Sequence, residues 1–308
     1  MPATGASASS LRASMRPLDL LLYAAVCLIW ALNLIVSRVL FSEFGIAPIF
    51  YAAARFLIVA AILSPLLRPL PRPLLPILCI GFLMGACHFG LMFIGLSLAT
   101  SSSVSIVLQT AIPITALLSV LLLGERVGLA RGVGIALALG GVILVMWDGD
   151  GASVSLGLIF AFVSAIAISL GQVLLKRYGA IKPLTMQAWT AFVSAPPMLA
   201  YSLLAETTPV TASFGAGWPF LAGLGFSVLA VTLLATTLYL GILQRYPASI
   251  VAPLGLMTPL MTVLMGILLL GEGFDLRMAA GGTVALVGLV LVLRQQAPRD
   301  AEQPREMT

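Results

Sequence analysis

Long apolar stretches separated by short polar ones dominate this chain of 308 residues. About 20 apolar residues are enough to cross a bilayer as an α-helix. Only helices or closed barrels satisfy the backbone hydrogen bonds in lipid, and barrel strands would be shorter and would alternate. The pattern therefore predicts ten transmembrane helices, at Leu18–Leu40, Ile46–Leu67, Leu74–Leu98, Ser102–Leu123, Leu129–Trp147, Leu156–Leu175, Pro183–Leu204, Trp218–Leu243, Ala248–Leu270 and Arg277–Leu293.

The composition agrees with a membrane protein. Hydrophobic residues make up 60% of the chain and charged residues 9%, whereas a soluble domain averages about 25% charged residues. So few charges cannot cover a soluble domain, and the expected fold class is an all-α integral membrane protein. The three cysteines lie within apolar stretches with no CxxC spacing, so we expect no metal site and no cofactor.

The basic residues are distributed unevenly between the two faces of the ten-helix arrangement. With the N-terminus in the cytoplasm, thirteen of the 16 lysine and arginine residues lie on the cytoplasmic side. Arg38 and Arg277 lie outside, and Arg55 lies within a helix. Because cytoplasmic loops carry the excess of positive charge, this count predicts a multi-pass protein of the cell membrane. Both tails, residues 1–17 and 294–308, are expected in the cytoplasm.

The two halves of the chain share a pattern. Predicted helices four and nine both end in Leu-Leu-Leu-Gly-Glu, at Glu125 and Glu272. The matches continue in order along about 50 residues on both sides of these motifs: Gly95 with Gly241, Ser103 with Ser249, Pro113 with Pro259, Gly134 with Gly281 and Gly141 with Gly288. We expect two five-helix repeats, 18–147 and 156–293, joined by a loop at 148–155. Because five is odd, the second repeat is inverted, as in many secondary transporters.

These residues resemble a known family. Trp30-x-x-Asn33 in the first helix, Arg55 in the second, and the Pro…Leu-Gly-Glu ends of helices four and nine are similar to the EamA-type branch of the drug/metabolite transporter superfamily. The resemblance implies ten helices, cytoplasmic termini and a central cavity lined mainly by helices one, three, four, six, eight and nine. Many relatives of this type export amino acids and related metabolites, aromatic amino acids among them.

The expected function is therefore secondary transport. We expect export of small polar metabolites, especially amino acids and aromatic ones among them, by alternating access across the inner membrane. The alternative is a proton-coupled transporter of drugs or of other metabolites, such as sugars or nucleotide-related compounds. No carboxylate lies in the middle of a helix, which argues against proton-coupled export of lipophilic cations.

Other classes of protein are not favoured by the sequence. It contains no catalytic motif and no ATP-binding loop, so an enzyme is not expected, and neither is a nucleic-acid partner. The expected partners are a small-molecule substrate and the lipid bilayer, and the protein is expected to be a monomer or a homodimer.

Candidate substrate-binding residues are the polar and amphipathic side chains at membrane depth. Trp30 and Asn33 share one helix face, as do Thr232, Thr236 and Tyr239. Each has a structural alternative, since polar side chains commonly join membrane helices. The predicted substrate-binding set is Trp30, Asn33, His88, Gln109, Gln172, Thr236 and Tyr239.

A second set is predicted to have structural or gating roles, namely Arg55, Pro113 and Pro259. Each proline should free a backbone carbonyl that could bind a substrate ammonium. Arg55 could bond helix-end carbonyls, contact a substrate carboxylate or act in gating. His88 could be a neutral residue bonded between helices, line the cavity or couple a proton.

Helices five and ten are rich in glycine and are expected to be packing scaffold or dimer surface. These glycines are Gly132, Gly134, Gly140, Gly141, Gly281, Gly282 and Gly288.

Overall fold

The computed structural model of the protein describes residues 15–124, 128–147, 155–178, 181–246 and 248–294. These residues form helices and turns, and no β-strand occurs among them. Most of both predicted tails, nearly all of the predicted loop at 148–155, and Glu125 lie outside the described residues.

Within the described residues, ten apolar helices follow one another. In order they are α1 (Pro17–Ser42), α2 (Pro48–Ile62), α3 (Leu74–Leu98), α4 (Ser101–Leu123), α5 (Leu129–Met146), α6 (Leu156–Tyr178), α7 (Pro183–Ala205), α8 (Trp218–Arg245), α9 (Met257–Leu270) and α10 (Leu276–Leu293). Eight are long and apolar enough to cross a membrane, whereas α2 and α9 have 15 and 14 residues. The chain is therefore an all-helical protein of the multi-pass membrane type.

Proline and glycine mark where several helices begin and end. Pro17, Pro48 and Pro183 each start a helix, at a position where the missing N–H would have no partner within the helix. At the other end, α4 and α9 stop at Gly124 and Gly271, whose φ angles are 69° and 63°. This left-handed conformation is favourable for glycine, which explains the Gly of the Leu-Gly-Glu motif.

Two predicted helices, the second and the ninth, are shorter than expected, and a proline lies at each change. The second helix becomes a 3₁₀ turn at Ser64–Leu67, because Pro65 has no N–H for the carbonyl of Ala61. The ninth begins as a short helix, Ala248–Leu254, which a turn separates from α9. A further short helix, Val210–Gly215, lies between α7 and α8.

The most extensive helix pairs are α5 with α10, α3 with α6, α2 with α7, and α4 with α6. In the α5–α10 pair the two backbones meet directly. A Cβ added to Gly134 would lie 2.9 Å from the carbonyl oxygen of Gly288, and one added to Gly281 would lie 2.7 Å from that of Gly141. The prediction of close glycine packing is confirmed at these four positions. Gly132 and Gly140 have no atom within 4 Å of an added Cβ, so they do not contribute to it.

Two helices contain π-helical segments. They cover Leu83–Cys87 in α3 and Phe226–Ala235 in α8. A π-helical turn inserts an extra residue, so it rotates the following side chains relative to an ideal α-helix, and such turns are frequent at functional sites. Several of the candidate residues lie within or directly after these two segments.

Candidate functional site

Arg55 on α2 is buried at the centre of a polar contact between helices. Its side chain is 3% exposed. Its Nε donates to the hydroxyl of Thr232 on α8 at 3.0 Å, and its guanidinium carbon lies 4.7 Å from the ring centre of Phe89 on α3. The Thr232 hydroxyl in turn donates to the carbonyl of Ser227 at 2.9 Å, within the π-helical segment. Helix-end carbonyls are bonded instead by Arg38, whose Nη1 donates to two carbonyls at the end of α3.

His88 on α3 is hydrogen-bonded to α6. The hydroxyl of Ser164 donates to the His88 carbonyl at 2.8 Å. The ring Nδ1 lies 2.8 Å from the same hydroxyl oxygen and 3.2 Å from the Ser164 carbonyl. Because the hydroxyl proton is already used, the consistent assignment places a proton on Nδ1 and leaves Nε2 as the acceptor of a neutral ring. The ring also meets Phe89 edge to face at 4.8 Å.

Together these contacts form one continuous array. Ser164, His88, Phe89, Arg55 and Thr232 follow one another from α6 through α3 and α2 to α8. Each of the four helices contributes its residue or residues from a position well away from the ends of the helix. The array is therefore a chain of polar and aromatic contacts that connects four helices.

A second cluster joins α1 to α8 through aromatic rings. Trp30 and Tyr239 meet edge to face, with ring centres 5.2 Å apart. Tyr23 lies 6.2 Å from Tyr239 on the other side. Trp30 and Tyr239 are only partly buried, so part of each ring surface remains available for contact. Thr236 has a local role, because its hydroxyl donates to the Val231 carbonyl at 3.3 Å.

Among the buried polar atoms without a hydrogen-bond partner in the part of the chain that the structure describes, two belong to predicted functional residues. They are Oδ1 of Asn33, whose residue is 5% exposed, and Nη1 of Arg55. One is an acceptor and the other a donor, on α1 and α2, and α8 packs against both helices. An unsatisfied buried polar atom costs about 1–3 kcal/mol. A polar ligand that bonded either atom would recover part of that cost.

The two predicted glutamines lie apart from these clusters. Gln172 is exposed on α6, and its Oε1 accepts from the hydroxyl of Thr115 on α4 at 3.3 Å. Gln109 lines a cavity of about 270 Å³ between α4, α9 and α10, together with Pro259 and apolar side chains. None of the other predicted substrate-binding residues lines that cavity. The structure thus brings together Trp30 and Tyr239, and separates Gln109 from them.

The two matched prolines produce matched interruptions. The helical path of α4 is broken by a turn four residues before Pro113, and a similar turn lies four residues before Pro259. The carbonyls at those positions, in Gln109 and Gly255, accept from the amide directly before each proline, at 3.2 and 3.1 Å. The expectation that both carbonyls would be left unpaired is therefore wrong, because a tighter i+3 bond replaces the missing α-helical one.

Glu272 has a role that the sequence did not reveal. Gly271 ends α9, and the Glu272 amide donates back to the Gly266 carbonyl at 3.0 Å. The carboxylate then reaches the start of α4. It accepts four hydrogen bonds of 2.5–3.0 Å from the amides and hydroxyls of Ser101 and Ser102. The Leu-Gly-Glu motif drew attention to this residue, but its partners are 170 positions away.

Glu206 binds the start of α2 in the way that Glu272 binds the start of α4. Its carboxylate accepts from the amides of Ile49 and Phe50 at 2.7 and 3.1 Å, and from the hydroxyl of Ser202 at 2.5 Å. A carboxylate at a helix N-terminus satisfies free amides and interacts favourably with the helix dipole. No pattern in the sequence signalled this contact.

Comparison with known proteins identifies the family. The EamA-like transporter family matches residues 18–147 and again 155–294. A probable amino-acid metabolite efflux pump of Salmonella typhimurium is 26% identical, over 86% of this chain and 91% of that protein. An uncharacterized Pseudomonas aeruginosa protein is 29% identical, over 93% and 97%. A protein crystal structure with 19% identity has a TM-score of 0.60 and covers 94% of this chain and 100% of its own. The chain belongs to the EamA-like transporter family.

Proposed function

We propose that this transporter exports small polar metabolites, in particular amino acids, across the inner membrane by alternating access. The observation that carries the proposal is the unpaired donor of Arg55 and the unpaired acceptor of Asn33, both buried. An amino acid is a zwitterion, so its carboxylate needs donors and its ammonium needs acceptors. Arg55 Nη1 would bond the carboxylate and Asn33 Oδ1 the ammonium.

The aromatic pair of Trp30 and Tyr239 supports a preference for substrates with an aromatic or apolar side chain. Both rings belong to helices that also carry, or pack beside, the unpaired polar groups. Aromatic rings favour edge-to-face contact with other rings. Relatives from Salmonella typhimurium and Escherichia coli are named as probable amino-acid metabolite efflux pumps, which supports amino acids as the substrate class.

The proposed architecture is ten membrane spans in two inverted five-helix repeats, 18–147 and 156–293, with both termini in the cytoplasm. The shorter helices α2 and α9 would complete their spans with the flanking turn Ser64–Leu67 and the short helix Ala248–Leu254. Three observations support the repeat. The family matches the chain twice, the proline interruptions of α4 and α9 correspond, and the π-helical segments lie in α3 and α8.

The test is counterflow of labelled compounds into proteoliposomes containing the purified chain. The panel consists of amino acids, sugars, nucleosides and lipophilic cations. We expect exchange of aromatic amino acids, with Asn33→Ala raising the half-saturating concentration about tenfold or more, since a bond to a charged group is lost. Gln109→Ala is the control. Gln109 lies outside both clusters, so this variant should change the half-saturating concentration little.

The alternative function would give a different result in the same assay. A proton-coupled carrier of drugs or of sugars would move those compounds when only a pH gradient is imposed, and amino acids would not exchange. Such an outcome would reject the amino-acid proposal while leaving the family membership unaffected.

A further inference from the structure

A cavity of about 480 Å³ lies where the connection from α2 to α3 meets the connection from α6 to α7. Three cationic side chains line it, those of Arg68, Arg72 and Lys182, and no carboxylate is among its lining residues. Within the described part of the chain, none of the three forms a salt bridge. The cavity therefore concentrates positive charge, and no carboxylate of the described residues forms a salt bridge with it.

A second cavity, also of about 480 Å³, continues from the first. The two share Leu66, Lys182 and Thr185. The second cavity extends toward α8, where Leu240 and Gly241 line it. A cationic compartment is thus joined to a largely apolar one that runs between the starting end of α7 and the final turns of α8.

We propose that the joined cavities bind one anionic phospholipid of the adjoining leaflet, which is the inner leaflet in the proposed orientation. The phosphate lies among Arg68, Arg72 and Lys182, and an acyl chain lies along Leu240 and Gly241. Basic pockets between membrane helices bind anionic lipid headgroups, because unpaired lysine and arginine side chains bond phosphate oxygens. The apolar compartment distinguishes a lipid from a small soluble anion, which would occupy only the first cavity.

The position of the site also suggests what the lipid does. Its walls come from α3 and the connection that precedes it, which lie in the first family match, and from α6, α7 and α8, which lie in the second. A lipid bound there contacts both halves of the transporter. A ligand that binds only the folded state raises the stability of that state, so the lipid should stabilise the association of the two halves.

The first experiment measures the binding of phosphatidylglycerol to the full chain in detergent by native mass spectrometry. Phosphatidylethanolamine, which has no net charge, is the comparison lipid. Each lysine or arginine near a membrane surface contributes about 1 kcal/mol to the binding of anionic lipid. The single variant Lys182→Gln should therefore weaken binding about fivefold, and the triple variant R68Q/R72Q/K182Q about a hundredfold. Thermal unfolding should show stabilisation of the wild type by phosphatidylglycerol and none of the triple variant.

Arg16→Gln is the matched control. Arg16 is an exposed cation on the same predicted face and lines neither cavity. If Arg16→Gln weakens phosphatidylglycerol binding as much as Lys182→Gln, the attraction is a general effect of surface charge and the proposal is wrong. Equal binding of phosphatidylethanolamine and phosphatidylglycerol would also overturn it.

A second variant tests the apolar compartment. No atom lies within 4 Å of a Cβ added to Gly241, so Gly241→Leu should fold while its side chain occupies the space of the acyl chain. We expect this variant to bind phosphatidylglycerol several-fold more weakly than the wild type. Glycerol phosphate, the headgroup without acyl chains, should not compete with the lipid at equal concentration. If it competes as well as the lipid, the site is one for soluble anions and the lipid proposal fails.

Discussion

The contact between Glu272 and the start of α4 gives a prediction whose size follows from the geometry. Oε1 accepts two hydrogen bonds from Ser101, and Oε2 accepts two from Ser102. In Glu272→Gln only one oxygen remains, so the side chain keeps the bonds of one serine and turns its NH₂ group toward the donors of the other. The negative charge at the helix N-terminus is lost as well.

Two lost hydrogen bonds to a charged group correspond to about 3–6 kcal/mol, and the helix dipole adds about 0.3–1 kcal/mol. Glu272 is partly exposed, so water replaces some of what is lost. We therefore expect the free energy of unfolding to fall by about 3 kcal/mol, which at 2–4 °C per kcal/mol for a larger chain lowers the Tm by about 6–12 °C.

The assay is thermal unfolding of the purified protein in detergent. Glu43→Gln is the control, because Glu43 is also a carboxylate at a helix end but is exposed and lies 3.4 Å from its only hydroxyl partner in the described chain, Ser42. Its Tm should change little, as for most surface substitutions. Equal shifts for the two variants would refute the argument that the four bonds hold the end of α9 to the start of α4.

Three further predictions concern topology, coupling and helix packing. A reporter fused after Arg72 and one fused at the C-terminus should both be active in the cytoplasm, and periplasmic activity of either would contradict the proposed orientation. His88→Gln cannot take up a proton but can still bond Ser164, so downhill exchange should persist; full uphill transport driven by a pH gradient alone would exclude His88 from coupling. Gly141→Leu should lower the free energy of unfolding by about 1–3 kcal/mol through overpacking. Gly140→Leu, with no atom within 4 Å of its Cβ, should not, and similar Tm values for the two would contradict the packing argument.

Helix positions could be predicted well from the sequence. The first helix was expected at Leu18–Leu40 and is observed as Pro17–Ser42, and the sixth was expected at Leu156–Leu175 and ends at Tyr178. Hydrophobicity and the flanking polar residues carry this information locally. The shortened second helix was missed because the effect of Pro65 on its final turn was not considered.

The contacts of the candidate site were predicted less well. The pairing of Arg55 with Thr232 joins residues 177 positions apart, so it depends on how helices are rotated and placed, which no local pattern encodes. Thr232 and Tyr239 were expected on one face of α8. In the structure Thr232 contacts α2, whereas Tyr239 contacts α1. Thr232 lies in the π-helical segment, where the number of residues per turn differs from that of an α-helix, so the α-helical spacing rule does not apply between these two positions.

The interruptions in α4 and before α9 bear on how the protein could switch between the state that is open to one side of the membrane and the state that is open to the other. At each one an α-helical hydrogen bond is already absent, so a change in the angle between the two pieces breaks no further bond of that kind. The first piece of α4, Ser101–Leu108, packs on α9 as well as on α6 and is bonded to Glu272, whereas the second, Ala111–Leu123, packs mainly on α6. The second piece could therefore tilt while the first stays in place, so that access at one membrane face would change without rotation of a whole half of the protein.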